Sequence, residues 1–583
     1  MKKTTLQKSV AVALTGAMVI GALTGCNSNT ANNNTETTSK APETTTQGSK
    51  TEETSKAPEE TSKSDSSTVA GVDGWEPFAE NVTIKIPVYD RGKEGVPPVT
   101  DNYWTKWIQE NFGDKYNITV QFEAIPRGDV LNAYTLLAVG GDLPTILMEY
   151  DYPKLAQWVD DGYLTEYSLD EFAQIAPTYY QRMVDNNQLE YTELNGTTYF
   201  ALAERPYYNT NYTFITWVRM DWLEQVGYDH VPATRAEYLD AMQKIKEAGI
   251  CEYPGGGSMI SGTAGVDQNY VYRDLDNMTG EEWAMYGDYA IPALSWEPQH
   301  KLLQFANEDY NLGITNPEFY SLTAEDATAA FVSGNQYSWS GYISGTMDTL
   351  VSFYEQNPDA KLAVAVQSLE EDTEAGTVPA FRSNNPFGMM IGFSSQASED
   401  QIKAAMMYME WMTLEDNLFT MQWGVEGENF TYGDDGLPVS VANYSGDYTQ
   451  GFNNSKDYWC VTTEARTAGT IEDVIKAASP VGLPQDFTQD IIDNYYNQVA
   501  AAEKGWVIPD CMFARVISSV SEYQQTLLDK YAEYRTQLTT CAPADFEDLY
   551  AKYAQEYLDA GYKDIADERL QAYEDGYSSK LDK

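Results

Sequence analysis

Val82-Thr83-Ile84-Lys85-Ile86-Pro87-Val88-Tyr89-Asp90 opens the globular part of this chain. Val82, Ile84, Ile86 and Val88 recur with a period of two, which sets one face of a β-strand against a core. Tyr103 to Phe112 then reads as a helix, with Trp104, Trp107 and Ile108 on one face. Ile118-Thr119-Val120-Gln121-Phe122 alternates again. A second helical stretch, Val130 to Val139, leads through Gly140-Gly141-Asp142-Leu143-Pro144 into Ile146-Leu147-Met148. Strands alternating with helices of this length predict an α/β domain with a parallel, doubly wound sheet. Ligands of such sheets sit beyond the carboxyl ends of the strands. That rule selects Tyr89-Asp90-Arg91, Ile125-Pro126-Arg127 and the Gly141-Asp142 turn. Tyr89 and Arg127 become candidate ligand contacts, whereas Asp142 is expected to cap a helix or turn.

Further along, a second unit begins near Tyr207. Pro232-Ala233-Thr234 precedes a helix in which Thr234 and Glu237 form a capping box. Tyr238, Met242 and Ile245 share its inner face and Gly249 ends it. From about Asp490 to Tyr577, Leu, Tyr and Ala recur at helical spacing.

Before the first strand the sequence has a different character. Lys2, Lys3 and Lys8 precede an apolar run from Val10 to Leu23, the arrangement of a signal peptide and too short for a permanent membrane span. Leu23-Thr24-Gly25-Cys26 resembles a bacterial lipobox, so residues 1–25 are expected to be removed and Cys26 lipidated. Residues 26–68 hold Asn, Thr, Ser, Glu, Lys and Pro with no aliphatic pattern, and Ser39-Lys40-Ala41-Pro42-Glu43 recurs as Ser55-Lys56-Ala57-Pro58-Glu59. Such a stretch cannot bury enough apolar surface to offset its ordering entropy and is expected to be a disordered tether. The implied place is the outer face of a cell membrane, anchored by lipid.

Composition narrows the function. The 583 residues carry 88 Asp+Glu against 37 Lys+Arg, a formal charge of −51, which makes nucleic acid a poor partner. Only two histidines, His230 and His300, are present, too few for a multi-histidine metal centre and a poor basis for a His-containing catalytic triad. No GxSxG, HExxH, Walker or GxGxxG motif occurs. A chance pair of carboxylates in a cleft is expected among so many acids, so composition alone does not argue for a glycosidase. Cys251, Cys460, Cys511 and Cys541 are widely spaced; they permit three pairings or free thiols.

Short motifs spread over most of the chain resemble one family. They are Leu136-Leu137-Ala138 with Gly141-Asp142-Leu143-Pro144, Asn195-Gly196 with Tyr199-Phe200-Ala201-Leu202, and Arg219-Met220-Asp221-Trp222-Leu223. Asn316-Pro317-Glu318-Phe319, Phe331 with Gly334, and Gly424-Val425-Glu426-Gly427 follow in order. The chain is similar to the extracellular solute-binding lipoproteins of ABC importers, specifically the large oligosaccharide-binding group. That resemblance implies a type II, two-lobed periplasmic-binding-protein-like fold with hinge crossings and a helical C-terminal region. Lobe 1 would comprise 69–205 and 358–408, lobe 2 206–357 and 409–583. It also implies a monomer that captures an oligosaccharide and delivers it to permease subunits, with no cofactor and no catalysis. Some relatives bind calcium after the helix ending near Gly249; Cys251 to Gly257 offers too few oxygen ligands, so no metal is expected there. An oligopeptide-binding lipoprotein, or an extracellular glycoside hydrolase or lyase, is the alternative.

A sugar presents an apolar face and a rim of hydroxyls, suiting aromatic rings beside Asp, Asn, Glu, Arg and Tyr groups. Those types gather at Tyr207, Tyr208 and Asn209, at Trp339 and Tyr342, at Arg382 and Asn384, and at Trp423 and Glu428. Trp104, Trp107, Trp222 and Trp411 are expected in the core. Arg205 or Arg382 could pair with a uronate.

Overall fold

β1 (Val82–Asp90) pairs in parallel with β2 (Ile118–Pro126) along its whole length, from Val82 opposite Ile118 to Asp90 opposite Pro126. The computed structural model describes residues 74–579, apart from 93–96, 206, 208–209, 211–213, 256–270, 274–277, 288–290, 366–377, 384, 442–443, 445, 449–457, 459–467, 480–482 and 484. The expected signal peptide and tether lie outside the described residues.

The period of two in β1 is used as predicted: Ile84, Ile86 and Val88 are fully buried. Between the strands, α1 (Tyr103–Ile108) starts at Asn102, whose side chain accepts the N–H groups of Trp104 and Thr105. It continues through wider turns at Gln109–Gly113 into α2 (Asp114–Tyr116), burying Trp104, Ile108 and Phe112. α3 (Val130–Gly140) ends in a Schellman-type turn: Gly141 has φ +70°, and Asp142 N–H reaches Leu137 O at 2.9 Å. Asp142 therefore caps nothing with its side chain, which instead pairs with Lys85. β3 (Ile146–Glu149) is preceded by Thr145, whose N–H meets Lys85 O at 2.9 Å and places it beside β1. α4 (Tyr152–Asp160) and the short β4 (Leu164–Thr165) complete this part.

The sheet departs from the all-parallel expectation at its far side. Strand Phe387–Ser394 runs antiparallel to β3, with Ile146 opposite Phe393, and antiparallel to Phe200–Glu204 on its other edge. The chain leaves this sheet after Glu204 and returns through Phe387 from the opposite direction, which reverses the strand.

Three larger regions of core result, beside a small cluster of Trp423, Phe430 and Ala477. The first joins residues between Val82 and Ala203 to residues between Phe387 and Met421 and to Tyr458. The second surrounds strand Phe214–Arg219, flanked antiparallel by Ser338–Tyr342 and Leu362–Val364, and takes in Phe487, Ile491 and Ile492. The third is helical and joins Trp283, Trp296 and Leu303 to Leu527, Tyr531, Tyr557 and Ile565. The boundaries expected at 358 and 408 differ from this packing: Leu362 belongs with the second core, while Trp411, Leu418 and Met421 belong with the first. Nor does the C-terminal region follow one lobe. Met512 and Val516 pack on the first core, Ala514 O accepts Asn195 N–H at 2.8 Å, and Ile491 and Ile492 of helix Gln485–Glu503 pack in the second.

Cys251, Cys511 and Cys541 are free thiols; Cys460 lies outside the described residues. Among the described residues no helix is long and apolar enough to cross a membrane, and no three His, Cys, Asp or Glu side chains gather around a possible metal position.

Candidate functional site

The carboxyl ends of β1, β2 and β3 lie side by side, so the last residues of each strand converge. Tyr89 comes from β1, Arg127 follows β2, and Glu149 and Tyr150 end β3. Tyr89 and Glu149 are buried, at 0% and 1% exposure. The Tyr89 hydroxyl lies 2.5 Å from Met148 O and 2.9 Å from Glu149 Oε2, so its one proton is shared between two acceptors. Burial foremost, with Tyr134 and the Glu149 carboxylate, holds this phenol well above its ordinary range, and it stays neutral. Glu149 Oε1 accepts Tyr150 N–H at 2.9 Å and sits 3.6 Å from Arg127 Nη1.

Arg127 is the outward part of the cluster, with its side chain 39% exposed. Its guanidinium lies 4.9 Å from the Tyr89 ring centroid and 5.5 Å from that of the half-buried Tyr150. The planar group is thus fixed by rings and a carboxylate while keeping N–H donors toward solvent. Chemically the arrangement sets aromatic area beside oriented donors, backed by a carboxylate that balances the charge.

Tyr207 stands on the crossing between Phe200–Glu204 of the first core and Phe214–Arg219 of the second. Its φ of +60° is rare for a residue with a side chain and stores on the order of 1–3 kcal/mol of strain. A turn imposes it, because Tyr207 O accepts the N–H and hydroxyl of Thr210 at 3.0 and 2.8 Å. The ring packs edge-to-face on Tyr495 at 5.6 Å, and Tyr495 meets Tyr496 at 5.2 Å. Burial first, then Tyr495, Glu204 and Glu472, raise the Tyr207 hydroxyl above its ordinary range.

The structure thus brings Tyr89 and Arg127 together, with Tyr89, fully buried, behind the surface as a support for Arg127 rather than a ligand contact. Trp339, at 4% exposure, is a core residue: its ring stacks on Phe331 at 5.6 Å and its Nε1–H reaches Thr328 Oγ1 at 3.2 Å. Trp423, at 1%, is enclosed by Phe419 and Phe430. Neither ring has a face free for a ligand. Glu428 is exposed on a turn and faces Tyr444. Tyr208, Asn209 and Asn384, and the side chains of Tyr342 and Arg382, lie outside the described residues. Of the tryptophans expected in the core, Trp104, Trp222 and Trp411 are buried and Trp107 is partly so. The sequence reading omits Glu149 and Tyr150, because the Gly141-Asp142 turn it selects stands at the amino end of β3. The strand-end rule applied at Met148 would have found them.

Two α/β lobes crossed by the chain, with polar groups at the strand ends, define a periplasmic-binding-protein-like fold. The model of the bacterial extracellular solute-binding protein family matches residues 97–418, and the chain belongs to that family. Among solved structures, the alginate-binding protein AlgQ2 is similar with a TM-score of 0.55 at 13% identity, over 86% of this chain and 99% of that one. An HMO-binding ABC-transporter-associated solute-binding protein from Bifidobacterium longum infantis gives 0.55 at 11% identity, over 85% and 99%. The S. pneumoniae substrate-binding protein FusA, in complex with kestose, gives 0.55 at 10% identity, over 85% and 99%. No curated protein matches the sequence.

Proposed function

We propose that this chain is a lipid-anchored surface receptor that captures an oligosaccharide between two lobes and passes it, unaltered, to the permease of an ABC importer. Cys26 carries the lipid, residues 26–68 form the leash, and the first and second cores are the two lobes. The observation that carries the reading is the Tyr89–Arg127–Glu149–Tyr150 cluster at the carboxyl ends of three strands. Tyr150 offers an aromatic face to a sugar's C–H surface, and Arg127 offers donors to its hydroxyl rim. The three similar proteins, whose names refer to alginate, HMO and kestose, support a saccharide ligand. Tyr207, on the crossing, is placed to meet ligand when the lobes approach. A ligand that bridges both lobes shifts the population toward the closed form by its tighter binding there.

The test is a glycan array probed with residues 69–583, followed by calorimetry on the hits and recovery of the bound sugar. Reversible binding with intact glycan recovered, and a Kd at least about tenfold weaker in Arg127→Gln, is the expected outcome. Cleaved products would assign an enzyme, and binding to peptides alone would assign a peptide receptor.

A further inference from the structure

α3 carries an anomaly unrelated to ligand contact. Its inner side is packed: Val130 and Tyr134 are buried. Its outer side holds Leu131, Leu136 and Val139, exposed to 47%, 73% and 84%. At 100° per residue these three fall within one arc of about 140°, which the exposed Asn132 and Thr135 share without adding charge. No other helix among the described residues carries more than one exposed large hydrophobic. Residues 130–141 contain no charge in a chain whose formal charge is −51, while Asp129 and Asp142 stand at the two ends. An apolar centre with a charged rim is the anatomy of a protein-binding patch.

We propose that this face of α3 is a docking surface for the extracytoplasmic side of the ABC permease, which rests on the importer reading above. Composition, charge and area disfavour the chain's own tether and a second copy as occupants. The chain's own residues 26–68 hold no aliphatic side chain larger than alanine apart from proline, and cannot fill the strip. Two copies of so acidic a chain repel each other. Three side chains also fall well short of the roughly 800 Å² per partner of a standing interface. A brief encounter fits, as a receptor that unloads must also leave.

The position fits as well. A single turn, Arg127–Asp129, joins the ligand cluster to α3. From inside the helix, the Tyr134 hydroxyl accepts Met148 N–H at 3.3 Å, next to Glu149. A partner seated on α3 therefore presses on the same strand end that holds the sugar.

A photocrosslinking amino acid at position 139 of the full-length lipoprotein in its native cells tests this, with position 432 (exposed Tyr432) as control. Mass spectrometry should identify a polytopic ABC subunit at 139 and not at 432. A probe at Thr135 in the Leu136→Glu/Val139→Glu background should lose at least about tenfold of that crosslink, with circular dichroism and thermal midpoint unchanged. Crosslinks to a second copy, to lipid, to an unrelated protein, or at control level all overturn the docking assignment. Glycan binding by the soluble body is measured separately, so failure of the docking surface and failure of the receptor reading give different results.

Discussion

Arg127 shows how a charged side chain is positioned without a tight ion pair: two rings flank it, and the Glu149 carboxylate stands 3.6 Å away. Replacement by Lys keeps the charge but loses the planar stack, so Arg127→Lys should bind between wild type and Arg127→Gln in calorimetry. Glu149 has a structural role too, since it accepts from Tyr89 and Tyr150; Glu149→Leu should lower stability by about 1–3 kcal/mol in urea titration. Tyr89 and Arg127 were legible because strand ends can be read from periodicity. Trp339 and Trp423 were not, because a ring beside a glycine motif looks the same in sequence whether solvent or core takes it. Phe331 and Phe430 settle that by packing. The Gly424-Val425-Glu426-Gly427 motif proves to be a turn. Gly427 has φ +82° in open space, whereas a Cβ on Gly424 would meet Asn429 Oδ1 at 2.3 Å. Gly427→Ala should cost about 1 kcal/mol and Gly424→Ala clearly more, read as thermal midpoints.

At the scale of elements, helix starts carry much of the local specificity. Helix Arg235–Glu247 begins as predicted, with the Thr234 side chain accepting Glu237 N–H and the Glu237 carboxylate accepting from Ala233 and Thr234. Thr234→Ala should cost about 1 kcal/mol. The bond from Ala233 foremost holds Glu237 below its ordinary range, and bonds from Thr323 and Thr470 do the same for Asp326 and Asp473. A carboxylate depressed in the fold stabilises above its unfolded value and loses that contribution as pH falls through its folded value. Stability should therefore fall from about pH 5 downward, and Glu237→Gln should flatten that limb in acid titrations followed by circular dichroism. These boxes were legible because their signals lie within four residues. The reversed strand Phe387–Ser394 was not, since its direction is set by where the chain re-enters the first core.

For the whole molecule, a formal charge of −51 implies self-repulsion that salt relieves. The thermal midpoint should rise between about 10 mM and about 200 mM NaCl, the range over which the Debye length shrinks from about 30 Å to below 10 Å. A midpoint that falls over this range would show that attractive pairs outweigh the repulsion. The helical C-terminal region was expected from periodicity, but its allegiance to a core of its own, with contacts to both lobes, required the tertiary partners.

That third core has a consequence for the order of events in synthesis. Beside near neighbours such as Tyr286, Trp283, Trp296 and Leu303 share their core with helices Ser518–Thr540, Phe546–Tyr557 and Lys563–Glu574. A chain emerging amino end first carries part of that aromatic surface uncovered until those three helices have been made. Export of this protein is then a period of exposure to aggregation, and quality-control factors outside the membrane would meet the chain chiefly through this late-closing seam.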